Sequence, residues 1–145
     1  MGLNFITQVL VQMLMCVVVG GTIGIIAKEK TKVTGARTFI LVTVGSALVT
    51  IVSVNFAKQL SNPWLADPGR IAAQIVSAFG FISTGVIWLA DDPNRRGLWT
   101  AAALWVSAIL GMSIGSGWLG TSTIGLVFTV VALLGIEHYL SRRNR

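Results

Sequence analysis

GLWTAAALWVSAILGMSIGSGWLGTSTIGLVFTVVALLGI, residues 97 to 136, runs for 40 residues without a charged side chain. As one α-helix it would be about 60 Å long at 1.5 Å per residue, roughly twice the hydrocarbon thickness of a bilayer. A run of that length has to hold two helices. Its midpoint is Gly115-Ser116-Gly117-Trp118-Leu119-Gly120, where glycines can turn the chain and a tryptophan suits the membrane–water interface. The spacing predicts helices over about 98–117 and 120–140.

The same reading works outward. A charge near the bilayer centre is costly while helix ends tolerate it, so gaps between charges locate spans. Residues 1–27 carry no charge, and 38–57 and 71–90 are each uncharged runs of 20 residues. Helices are expected over about 4–27, 37–57 and 68–90. Five spans consume most of 145 residues, so one transmembrane domain over 1–145 is expected, an all-α integral membrane protein. The composition agrees, with 54% hydrophobic residues and 11% charged, against about 25% charged in a soluble domain. No internal repeat is visible, which argues against an inverted-repeat transporter.

The net charge of +6 does not point to nucleic acid, because the eleven Lys and Arg sit in short clusters that bound the apolar runs. They report topology instead. With the N-terminus outside, Lys28, Lys30, Lys32, Arg37, Arg95, Arg96, Arg142, Arg143 and Arg145 all fall in the cytoplasm, and only Lys58 and Arg70 fall outside. The positive-inside rule selects that orientation, with the C-terminus cytoplasmic. The first run lacks the basic start of a secretory signal and reads as a true span. Trp64, Trp88, Trp99, Trp118 and Tyr139 fall near expected span ends, and Trp105 falls inside the fourth helix.

Asp67-Pro68-Gly69-Arg70 opens the third helix, and Arg70, Gln74, Ser77, Phe81 and Thr84 then recur at spacings of four, three, four and three. They share one helix face. A polar face in a membrane helix is expected to meet the bundle interior or a wet path, since an unpaired polar group in hydrocarbon is expensive. One reading is a polar pocket open to the outside. The other makes Asp67 an N-cap with Pro68 at the first helical position, leaves Arg70 at the interface, and uses Gln74 and Ser77 to hold helices together. Arg37 and Thr38 open the second helix, where a lone arginine marks the cytoplasmic edge.

Small residues recur at packing distance: Gly20 and Gly24 in the first helix, and Ala103, Ser107, Gly111 and Gly115 in the fourth. Such stripes let backbones approach closely, within one chain or between chains. Glu137 and His138 are expected at the cytoplasmic interface. The single cysteine, Cys16, lies in an apolar run with no partner for a disulfide or metal site. With one His, one Cys and no phosphate-binding loop, no enzyme activity or cofactor is expected. Magnesium is a weakly supported ligand of one chain, since Mg²⁺ favours carboxylates and water. Asp67 is the outside candidate, while Asp91 and Asp92 sit beside Arg95 and Arg96.

Three ordered stretches, Gly21 to Ser46, Asp67 to Ile87 and Gly97 to Gly117, together resemble the membrane domain of the MgtC/SapB family. The positions matching its signatures are Arg37 and Thr38, then Asp67, Arg70, Gln74, Gly80 and Phe81, then Thr100, Ala101, Ala102 and Trp105. The resemblance implies a bacterial inner-membrane protein linked to magnesium homeostasis and, for some members, virulence. It also implies a partner such as a membrane ATPase or ATP synthase, and it raises the functional weight of Asp67 and Arg37. A homo-oligomer is expected from the residues themselves, since several copies could supply carboxylates that one chain lacks. Ile26 and Ala27 stand where the family usually places a Glu-Arg pair, and Ser83-Thr84-Gly85 and Trp99-Thr100 also depart from the pattern. The cytoplasmic C-terminal domain of the longer members is expected to be missing after Arg145. The expected function is regulation of a membrane partner through helix contacts, with a cation transporter or channel, oligomeric or not, as the alternative.

Overall fold

In the computed structural model, described residues are 2–28, 34–59, 67, 69–88 and 97–143, with side chains described over 4–27, 34–59, 67, 69–88 and 97–135. The chain forms five helices: α1 (Gly2–Lys28), α2 (Ala36–Gln59), α3 (Gly69–Trp88), α4 (Leu98–Gly115) and α5 (Leu119–Arg143). α1 to α4 are each long and apolar enough to cross a membrane, and α5 is apolar over Leu119–Gly135 among the described residues. The loop positives Lys30, Lys32, Arg95 and Arg96, the side chains of Lys28, Arg142 and Arg143, and Arg145 lie outside the described residues. So do Trp64, Pro68, Asp91, Asp92 and the side chains of Glu137, His138 and Tyr139.

The 40-residue run does break in two, at Ser116 and Gly117. Gly117 has φ +84°, a left-handed conformation open to glycine at little cost. Its N–H donates to the carbonyl of Ile114 at 2.9 Å, and the Trp118 N–H donates to Ser113 at 3.0 Å. These are the two bonds of a Schellman motif, which satisfies carbonyls left over at the end of a helix.

α4 is the centre of the bundle, packed against all four other helices. Ten of its 18 residues are buried, among them Thr100, Ala101, Ala103, Leu104, Ser107 and Gly111. Gly20 and Gly24 of α1 and Gly111 and Gly115 of α4 all meet α2. A Cβ on Gly20 would lie 2.8 Å from Cα of Ile40 and the carbonyl of Phe39, and one on Gly24 would lie 2.6 Å from Cα of Ala36. A Cβ on Gly111 would strike the Thr43 carbonyl, and one on Gly115 would lie 2.5 Å from the carbonyl oxygen of Ala47. Small residues on α1 and α4 therefore grip one face of α2 at successive levels, α1 at Ala36 to Thr43 and α4 at Thr43 to Thr50, backbone to backbone. Phe39, Thr43 and Ala47 have no exposed surface between them.

Candidate functional site

Polar side chains in this bundle follow one local rule. Thr43 donates to the Phe39 carbonyl, Thr50 to Ser46, Ser107 to Ala103, Ser122 to Trp118 and Thr129 to Gly125, each four residues back at 2.7–3.0 Å. A hydroxyl returned to its own helix presents no unpaired donor to lipid or core. These residues need no ligand to explain them.

Departures from the rule mark the end of the bundle where α1, α3 and α5 begin and α2 and α4 finish. Gln12 of α1 is only 3% exposed, and its amide donates to the carbonyls of Ile114 at 2.8 Å and Gly115 at 3.3 Å. It thus caps the C-terminal carbonyls of α4 from a different helix, a cross-link that also pins α1 against the α4–α5 turn. Asn4, Gln8 and Gln12 follow one another at i, i+4 and i+8 and line a hollow of about 410 Å³ with Thr7, Gly117 and Leu119. The sequence reading missed this stripe; its signal is a set of amides at helical spacing inside an otherwise apolar run.

Beside it, a cavity of about 520 Å³ opens between α2, α3, α4 and α5. Its polar lining is hydroxylic, from Thr50, Ser53, Ser113, Ser116 and Thr121, and Gly69 at the start of α3 forms part of its wall. One turn from Thr50, the Ser46 hydroxyl is buried without a partner. Neutral hydroxyls and carbonyls can hold water or a hydrated polar group, but they supply no charge to replace the tightly held water of a divalent cation. Among the described residues no three His, Cys, Asp or Glu side chains gather.

Asp67 and Arg70 stand next to this cavity at the α3 N-terminus, both exposed. The Asp67 carboxylate accepts the Gly69 N–H at 2.9 Å, and the Asp67 carbonyl accepts the Arg70 N–H at 3.2 Å. This carboxylate caps the helix, satisfying a donor that the first turn leaves over. Arg37 is also exposed but sits at the start of α2, at the opposite end of the bundle, and Thr38 beside it is half-buried. The structure therefore does not bring Arg37 and Asp67 together. Thr100 is fully buried on α4, while Trp105 points outward, 42% exposed.

The largest correction concerns α3. Its polar face was expected to meet the bundle interior or line a pocket, yet Arg70, Gln74, Ser77, Phe81 and Thr84 are all exposed. The cause is which face α4 takes. α3 buries Ile75 and Val86, half-buries Ile71 and Phe79, and donates from Ser83 to the Ala101 carbonyl at 3.2 Å. At 100° per residue that apolar face lies opposite the polar one, so packing on α4 turns the stripe outward. Thr84 bonds back to the Gly80 carbonyl at 2.9 Å, but Gln74 and Ser77 have no hydrogen-bond partner among the described residues. Leaving an amide unpaired in hydrocarbon costs several kcal/mol, about what distinguishes a lipid-facing helix from one that needs a protein neighbour.

The profile of the MgtC family matches residues 13–142. Among similar proteins, the "Putative magnesium transporter YhiD" of Escherichia coli strain K12 is 40% identical over 94% of this chain and 63% of its own length. Protein SapB of Bacillus subtilis is 33% identical over 87% of the chain and 55% of its own length. Protein MgtC of Brucella abortus is 38% identical over 77% of the chain and 44% of its own length. The chain thus spans about half the length of these relatives, and no solved structure matches it. Because the match runs from the middle of α1 through the central α4 to the end of α5, taking in the whole grip on α2 and the outward face of α3, this chain belongs to the MgtC family.

Proposed function

We propose that this protein serves magnesium homeostasis in the bacterial inner membrane without catalysing a reaction, by contact between its membrane helices and another membrane protein chain. In this reading all five helices span the membrane with the N-terminus outside, so that Asp67, Arg70 and the hydroxyl-lined cavity lie at the outer face and Arg37 at the cytoplasmic edge. The observation that carries the reading is the outward polar face of α3: Gln74 and Ser77 lie within a span yet have no partner among the described residues. Protein is the neighbour that answers them best. Family membership and the name of the YhiD relative supply the link to magnesium.

The test separates contact from conduction. Purified protein in liposomes carrying a fluorescent magnesium indicator should pass no Mg²⁺. Cells that depend on this gene for growth at low magnesium should lose that growth when Gln74→Leu and Ser77→Leu are combined, with the protein level unchanged. A second reading, cation passage through the cavity beside Asp67, predicts Mg²⁺ entry into the liposomes that Asp67→Asn or Arg70→Ala abolishes. That outcome would replace the contact reading.

A further inference from the structure

We propose that the neighbour at α3 is a second copy of this chain, paired with the first by a two-fold axis along the helix; this rests on the reading of α3 as a protein contact face. Arg70, Gln74, Ser77, Phe81, Thr84 and Trp88 are exposed and follow one another at spacings of four, three, four, three and four, the period at which two helices meet along a seam, with Gly80 and Gly85 flanking it on either side. Nothing lies within 4 Å of where a Cβ would stand on Gly80 or Gly85, so the backbone of α3 is open to close approach. Phe81, 83% exposed, borders that opening, and with Ile82, Thr84, Gly85 and Trp88 it lines a shallow groove on the outer face. Aromatic side chains on the seam and glycines on its two flanks suit a copy of the same face.

Polarity selects a copy over an unrelated apolar helix. A two-fold contact is isologous, so each residue near the axis meets itself or a near neighbour. Gln74 carries both a donor and an acceptor on its amide and can pair with the Gln74 of a second copy, and Ser77 can do the same through its hydroxyl. The charges agree. Asp67 and Arg70 form no ion pair with each other, and Asp67 has committed one carboxylate oxygen, Oδ1, to Gly69. The two residues differ by about 4.5 Å along the helix axis, and helical side chains lean toward the N-terminus. Arg70 of one copy therefore reaches the level of Asp67 on the other, giving two equivalent cross-pairs at the mouth of the interface. An antiparallel pairing of the two helices would separate these charges by the length of the helix.

The experiment uses the full chain in native membranes with its one thiol removed by Cys16→Ala. Single substitutions Ser77→Cys and Thr84→Cys are oxidised with copper phenanthroline and compared with Leu14→Cys, a site 67% exposed on α1. The α3 variants should yield a band at twice the 15.4 kDa chain mass, and Leu14→Cys should stay monomeric. In the Ser77→Cys chain, Asp67→Arg alone and Arg70→Asp alone should each lose that band, and the double exchange should restore it. Adducts of another mass would overturn the second copy while keeping α3 as a contact face. Monomer alone at both α3 sites, or equal dimer at Leu14, would overturn both readings. Singles that lose the band with a double exchange that fails to restore it would overturn the cross-paired two-fold.

Discussion

α3 and α4 are neighbours built from similar material, each with small residues at helical spacing and a few hydroxyls, yet they occupy opposite environments. Ten of the 18 residues of α4 are buried inside the bundle, against two of the 20 in α3. On α4 the small stripe is consumed: Gly111 and Gly115 lie on the backbone of α2, and Ser107 bonds back to its own helix. On α3 Gly80 and Gly85 are open, and the Gln74 amide has no partner among the described residues. The same pattern thus holds the protomer together on α4, while on α3 it stands exposed, where we propose a neighbour. In a membrane the difference is sharp, because lipid can cover an apolar surface but cannot answer an amide.

Substitutions on the two helices should therefore separate stability from association. The largest effect is expected from Gly111→Leu, whose side chain would drive α4 off the Thr43 backbone. Overpacking costs about 1 to 3 kcal/mol even where side chains can shift, and backbone shifts less readily, so loss of a folded monomer in detergent is expected. A cooperative melt at the wild-type temperature would break the contrast. Gln12→Leu comes next, removing the cap that α1 gives to the end of α4. One lost buried hydrogen bond with an acceptor left behind costs about 1 to 2 kcal/mol, read as a lower midpoint in thermal or denaturant unfolding. Gly80→Ala sits at the small end. With open space around it, the change should leave unfolding of the monomer unchanged or raise its stability by up to about 1 kcal/mol through helix propensity. A loss of monomer stability comparable to that of Gln12→Leu would mean that α3 is covered within its own chain.

Much of the architecture was legible in the residues. Uncharged runs bounded by Lys and Arg located the helices to within a few residues, and the length of 97–136 required a break that falls at Gly117. The candidate site was legible only in part. The spacing of Arg70, Gln74, Ser77, Phe81 and Thr84 placed them on one face, but a helical period says which residues share a face and nothing of what covers it. Gln12 went unread because a single amide in an apolar run looks like a tolerated exception until its partner, more than 100 residues away, is known.

By itself the sequence determined a membrane-embedded bundle of five helices, because the cost of charge in hydrocarbon is a local property that each run declares separately. Only the tertiary structure decided that α4 is central, that glycines of α1 and α4 close on α2, and that the polar face of α3 looks outward. Those outcomes depend on which helices lie side by side. Helix neighbours are chosen by the fit of whole faces, with Ile75 and Val86 settling on α4 and leaving Gln74 on the far side.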